Sequence, residues 1–155
     1  MSVAFRRESD EEHKEPRFEL PLPPEPNLVT QRGYDLIKAR TEELEAAVAS
    51  ASNEEQRAEL QRDLRYWRAR LATAQIAPRP SGNAVAFGIR VTIEQDGERR
   101  SLAIVGHDEA DPASGRIAFG SPLAQALMGA EPGEDINPPG NGHVVRLIAV
   151  EPAER

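Results

Sequence analysis

Leu60, Leu64, Trp67, Leu71 and Ala74 follow one another at spacings of four, three, four and three residues. That rhythm puts all five on one seam of an α-helix and on no single face of a strand. So thin a seam cannot be a core by itself, and the helix needs a partner. The partner lies upstream, where Ile37, Leu44 and Ala51 repeat every seven residues and Arg40, Ala47 and Val48 fill the stripe between them. Thr30 offers an N-cap oxygen at its start. Between the two helices runs Ser50-Ala51-Ser52-Asn53-Glu54-Glu55, in which Ser52 and Glu55, three apart, predict a capping box. Residues 29–77 therefore read as an antiparallel helical hairpin, a coiled-coil arm that projects from, or folds back on, the C-terminal half of the chain.

The hydrophobic period then changes. Ile76 to Asn83 is rich in proline and glycine, and 78–83 reads as a linker. Val85, Phe87, Ile89, Val91 and Ile93 alternate at period two, Asp96-Gly97 marks a turn, and Leu102–Val105 gives a second apolar strand. Arg116–Phe119 and Val144–Val150 suggest two more strands. Ser121-Pro122 opens a short helix that Gly129 stops, and Pro138 to Gly142 turns the chain before the last strand. Residues 84–155 thus predict a small twisted antiparallel sheet with one short helix, and the whole chain is α+β. Ahead of the hairpin, residues 1–28 mix charge with Pro21, Pro23, Pro24 and Pro26, the composition of a flexible, extended tail. Phe18, Leu20 and Leu22 alternate before those prolines and leave open a docking peptide.

Charge narrows the functional classes. Nineteen Lys and Arg face 26 Asp and Glu, a net charge of −7. That is the wrong sign for gripping duplex DNA through a broad basic surface, so any nucleic-acid link is expected to be indirect, through a protein partner. The 155 residues contain no apolar run near the ~20 needed to span a membrane, and a cytoplasmic protein is expected. Without cysteine there is no disulfide, thiolate or cysteine zinc site. His13, His107 and His143 lack the helical spacing of a metal pair.

Two blocks carry a resemblance: Ile104-Val105-Gly106-His107-Asp108-Glu109-Ala110-Asp111, and Ser121-Pro122-Leu123-Ala124-Gln125-Ala126-Leu127-Met128-Gly129. With Phe87-Gly88, Val91 and Pro139-Gly140 they stand in the order of the C-terminal domain of the bacterial transcript-cleavage factors, the GreA/GreB family. Thr30, Gly33, Tyr34 and Ile37 resemble the opening of that family's arm, and Ala74-Gln75-Ile76 its close. The resemblance implies an FKBP-like globular domain that holds RNA polymerase at the rim of its secondary channel. It further implies an arm whose acidic tip shares a second Mg²⁺ in the polymerase active site, with no cofactor of the factor's own. Such a factor is accessory to the polymerase's intrinsic RNA cleavage and is not itself an enzyme.

The tip is where this chain departs from the family. The pattern D-x-x-E-N-A-[E/D]-Y does not occur, and Glu54 and Glu55 are the only acidic pair at the expected turn. They are the candidate shared Mg²⁺ ligands, but their position also suits a helix N-terminus, where the dipole favours negative charge. A first helix of twenty residues would span about 30 Å at ~1.5 Å per residue, several turns less than the family's arm. Arg62, Arg65 and Arg68 are candidate RNA contacts. The reading preferred here is a solvated face paired with Glu42, Glu43, Glu45, Glu59 and Asp63, since residues 31–77 carry eight basic and eight acidic side chains. In the globular half, Asp108, Glu109, Asp111, Ser121 and Pro122 are the candidate polymerase contacts by resemblance. Asp108 and Asp111 have loop-shaping as their alternative, and His107 is assigned no chemistry.

The leading reading is an elongation factor at the polymerase secondary channel, with cleavage stimulation in doubt because the arm is short. Its alternative is a non-cleaving channel-rim regulator resembling the regulator of nucleoside diphosphate kinase. A remoter one is an FKBP-like prolyl isomerase, for which Phe87 and Phe119 would be the only aromatic walls. A third is an interaction module built on the proline-rich tail alone.

Overall fold

The computed structural model describes residues 19–138, 140 and 143–153; most of the expected tail, His13 included, lies outside them. Leu28–Val29 forms a short strand, β1, that pairs in parallel with β2, Gln75–Ile76. Between them stand α1, Gln31–Ala49, and α2, Glu54–Thr73. The hairpin is thus tied at its base by its own two ends, and the boundary placed at residue 28 falls inside β1.

Thr30 caps α1 as expected, its Oγ1 accepting from Gly33 N at 2.9 Å. The seam of α1 buries Gly33, Ile37, Thr41 and Leu44. Thr41 is tolerated there because its Oγ1 donates to the Ile37 carbonyl at 2.8 Å. On α2 only Leu64 of the five seam residues is fully buried, together with Arg70. Two helices packed alone leave most seam positions half-covered. Burying Ile37, Leu44 and Leu64 contributes about 1.5–3 kcal/mol each.

The globular half is one five-stranded sheet. β3, Ile89–Gln95, and β4, Glu98–Val105, form a hairpin across Asp96 and Gly97. Both turn residues are left-handed, with φ of 54° and 80°, the geometry that matches a two-residue turn to strand twist. β5, Arg116–Ala118, β6, Asp135–Ile136, and β7, Val145–Pro152, complete the order β5-β4-β3-β7-β6. The short helix α3, Pro122–Leu127, has Ser121 as its N-cap. Ile89, Val91 and Ile93 point inward with Leu102, Ile104, Val145 and Leu147, and Ala124 and Leu127 of α3 close the core.

The sheet is mixed, not antiparallel: β5 runs parallel to β4. A parallel neighbour requires the chain to travel back along the sheet before starting the next strand. Residues 106–115 do so through two 3₁₀ turns, His107–Glu109 and Pro112–Ser114. This crossover carries the acidic block out of the sheet and against the base of the hairpin. No helix among the described residues is long and apolar enough to cross a membrane.

Candidate functional site

The crossover turn is where the two halves meet. Asp108 accepts from Tyr66 Oη at 2.6 Å on one carboxylate oxygen and from Arg70 Nε at 2.6 Å on the other. Glu109 accepts from Thr30 Oγ1 at 2.6 Å and from Arg32 Nη1 at 2.9 Å. Each helix of the arm is therefore held by one carboxylate of the turn, α2 by Asp108 and the start of α1 by Glu109. The Asp108 and Glu109 side chains are 5% and 4% exposed, so all four oxygens are engaged within the molecule. Of the two roles open to Asp108, polymerase contact and loop-shaping, the bonds seen are internal ones, and Glu109 likewise binds the chain's own arm.

Close packing requires glycine on both sides of the joint. A Cβ on Gly33 would lie 2.8 Å from Glu109 Oε1, and one on Gly106 would strike the carbonyl of Leu28. Nothing in the sequence assigns Thr30, Arg32, Tyr66 and Arg70 to this joint. The available signal is the spacing of Tyr66 and Arg70, one helical turn apart beside the α2 seam. Burial of Tyr66 and its bond to Asp108 push the phenol well above its ordinary value, because an ionised ring would lose its donor and face a carboxylate.

The remaining candidates of the globular half lie outward. Asp111 is exposed and accepts from Ser114 Oγ at 2.6 Å, while Pro122 is exposed at the start of α3. Ser121 Oγ accepts from Ala124 N at 3.3 Å as the helix cap. A shallow hollow beside them is lined by His107, Ala118, Phe119, Gly120, Ser121 and Glu25. Phe87 and Phe119 meet edge to face at 5.4 Å between ring centres. They pack on each other and do not stand apart as the walls of a proline pocket.

At the arm tip the cap falls one residue later than expected. Asn53, not Ser52, is the N-cap of α2, accepting from Gln56 N at 2.7 Å, and Gln56 Oε1 accepts from Ser52 N at 3.0 Å. Asn is as good a cap as Ser, and Gln56 reaches back where Glu55 was expected to do so. Glu54 is paired with Arg57 at 3.4 Å, whereas Glu55 lines a groove with Ser52, Asn53, Gln56 and Glu59. A shared Mg²⁺ needs oxygens converging at ~2.1 Å, and Glu54 would have to turn from Arg57 to supply one.

Of the three arginines expected to contact RNA, Arg68 pairs with Glu45 of α1 at 3.1 Å. Arg65 pairs with Glu19, outside the arm altogether, at 2.7 Å. Arg62 lies within the electrostatic reach of that same glutamate. The pairing expected wholly within the hairpin therefore holds for Arg68 and fails for Arg65.

Residues 79–152 match the family described as transcription elongation factor, GreA/GreB, C-terminal. The globular half is thus an elongation-factor C-terminal domain. Through that domain, which makes up just under half of its length, the chain is similar to the GreA/GreB family. The transcription elongation factor GreA of Desulfovibrio desulfuricans is 37% identical over 117 residues, covering 73% of this chain and 62% of that protein. GreA of Sinorhizobium medicae is 40% identical over 75 residues, 46% of this chain and 48% of the relative. The chain therefore spans about half to three-fifths of these relatives' length. The solved structure of the GreA factor homolog Gfh1 of Thermus thermophilus is 21% identical, covers 82% of this chain and 99% of its own, and has a TM-score of 0.41, a likeness too slight to argue from.

Proposed function

We propose that this chain is an accessory elongation factor. In this reading it docks on RNA polymerase at the secondary channel through the outer face of its globular half, and regulates elongation without delivering the carboxylates that promote transcript cleavage. The observation that carries the reading is the joint. A GreA/GreB-type domain is fixed by Asp108 and Glu109 to both helices of an arm, so whatever holds the domain also aims the arm. The outward groups available for docking are Asp111 and Pro122, flanked by the hollow at Gly120. A cytoplasmic setting follows from that partner.

The tip separates this reading from a cleavage factor. The 19 residues of α1 reach about 28 Å at ~1.5 Å per residue, and Glu54 at its far end is already engaged by Arg57. The test is RNA cleavage in stalled, backtracked elongation complexes, run beside a direct polymerase-binding assay. Binding should weaken roughly fivefold or more in the double variant Asp111→Ala, Pro122→Asp, on the scale of losing one central contact. Cleavage should not rise above the polymerase alone, and Glu54→Ala with Glu55→Ala should change nothing. Cleavage lost in that tip variant would make the chain a cleavage factor; no polymerase binding at all would remove the reading.

A further inference from the structure

Residues 19–27 form a strap held to α2 at both ends and passing over the globular half at Gly120. One end is fixed by Asn27, 5% exposed, whose Nδ2 donates to the Arg70 carbonyl at 2.8 Å and to Thr73 Oγ1 at 3.1 Å before the chain enters β1. At the other end both carboxylate oxygens of Glu19 accept from Arg65, Nε at 2.7 Å and Nη2 at 2.8 Å. Pro21, Pro23, Pro24 and Pro26 favour an extended path between these points. Two residues before Asn27, the Glu25 carboxylate lies over Gly120, 3.2 Å from where a Cβ would stand. Leu20 and Leu22 are 36% and 54% exposed, so apolar burial does not hold the strap down.

Away from the joint, where Arg32 and Arg70 meet Glu109 and Asp108, Arg65 differs from Arg40, Arg57 and Arg68 in where its partner comes from. Arg40, Arg57 and Arg68 pair with Glu43, Glu54 and Glu45, acids of the hairpin itself. Arg65 takes an acid 46 positions upstream. The pairing is mutual: the bidentate bond draws the Glu19 carboxyl below its ordinary value and raises the Arg65 guanidinium above its own. Glu19 also acts on Arg62, so one strap carboxylate faces two cations of α2.

We propose that residues 19–26 are an autoinhibitory strap over a polyanion-binding face of the arm centred on Arg65, and that the phosphate backbone of single-stranded RNA competes with Glu19 for that guanidinium. The choice of RNA as the polyanion rests on the elongation-factor reading. The rest stands on geometry. A guanidinium fork that grips a carboxylate through two parallel N–H bonds grips a phosphate in the same way. Both partners are more than half exposed, so the latch is weak and screened by salt. A strand bringing several phosphates displaces it, and the prolines keep the strap ready to return once the strand leaves.

The test uses the full chain and a fluorescent single-stranded RNA, without polymerase, at about 50 mM and about 200 mM salt. Glu19→Gln should bind roughly three- to tenfold tighter at the lower salt, the size of one newly available charged contact, and Glu19→Lys tighter still. The gain should shrink at the higher salt and vanish in Glu19→Gln with Arg65→Gln. Glu98→Gln makes the same change of net charge at the exposed β3–β4 turn and should gain nothing. An equal gain in Glu98→Gln, a gain that survives loss of Arg65, or no gain in either Glu19 variant would each overturn the strap. Because polymerase is absent, these outcomes leave the docking proposal untouched, and a failure of docking leaves them readable.

Discussion

Asp108 shows how a residue type that reads as partner-binding becomes internal. An acid in a loop is solvated by default, but this one meets Tyr66 and Arg70 within hydrogen-bonding distance at a covered joint. Its bond to Tyr66 has a measurable consequence. The phenol is raised above its ordinary value of 10, first by burial and then by Asp108. A group whose folded value is raised contributes stability that is complete below the unfolded value and lost as pH climbs toward the folded one. The fold should therefore weaken above about pH 10 through this residue. Tyrosinate absorbance should show one of the two tyrosines titrating late, and Tyr66→Phe should abolish that late component. A late component that persists in Tyr66→Phe would assign the shift elsewhere.

Among the elements, the helices and long strands were legible because their apolar residues keep one period for many positions. Ile37 and Leu44 on α1, and Ile89, Val91 and Ile93 on β3, are all buried. Short pieces were not: two-residue β1, β2 and β6 contain no period, and β5 gave no sign of its direction. Its parallel course depends on what the crossover packs against, and that information lies in Thr30, Arg32, Tyr66 and Arg70, far away in sequence. The tip cap shows the same limit at shorter range, since Ser52-x-x-Glu55 and Asn53-x-x-Gln56 both satisfy the capping pattern. Asn53→Ala should cost about 1 kcal/mol and Ser52→Ala clearly less, measured by chemical denaturation. Equal costs would restore Ser52 as the cap.

For the molecule as a whole, stability of the arm and of the globular half is shared through one turn. Buried ion pairs contribute little net stability while intact, but removing one partner strands the other charge, at about 3–5 kcal/mol. Asp108→Ala leaves Arg70 in that position, 5% exposed. The unaltered chain should melt in one cooperative transition, with the amides of the arm and of the sheet followed separately by NMR. Asp108→Ala should lower it and separate the loss of arm amides from the loss of sheet amides. Coincident loss in the variant would show that the halves are coupled by something other than this turn. The hydrogen bonds that join the halves use Thr30 and Arg32 at the start of α1 and Tyr66 and Arg70 on the returning helix; the positions between Leu44 and Leu64 take no part in them. The arm is consequently a lever whose fulcrum is independent of its length. Matched seven-residue insertions in both helices keep the seam in register, so reach can grow or shrink over evolutionary time while the pivot and its aim stay the same.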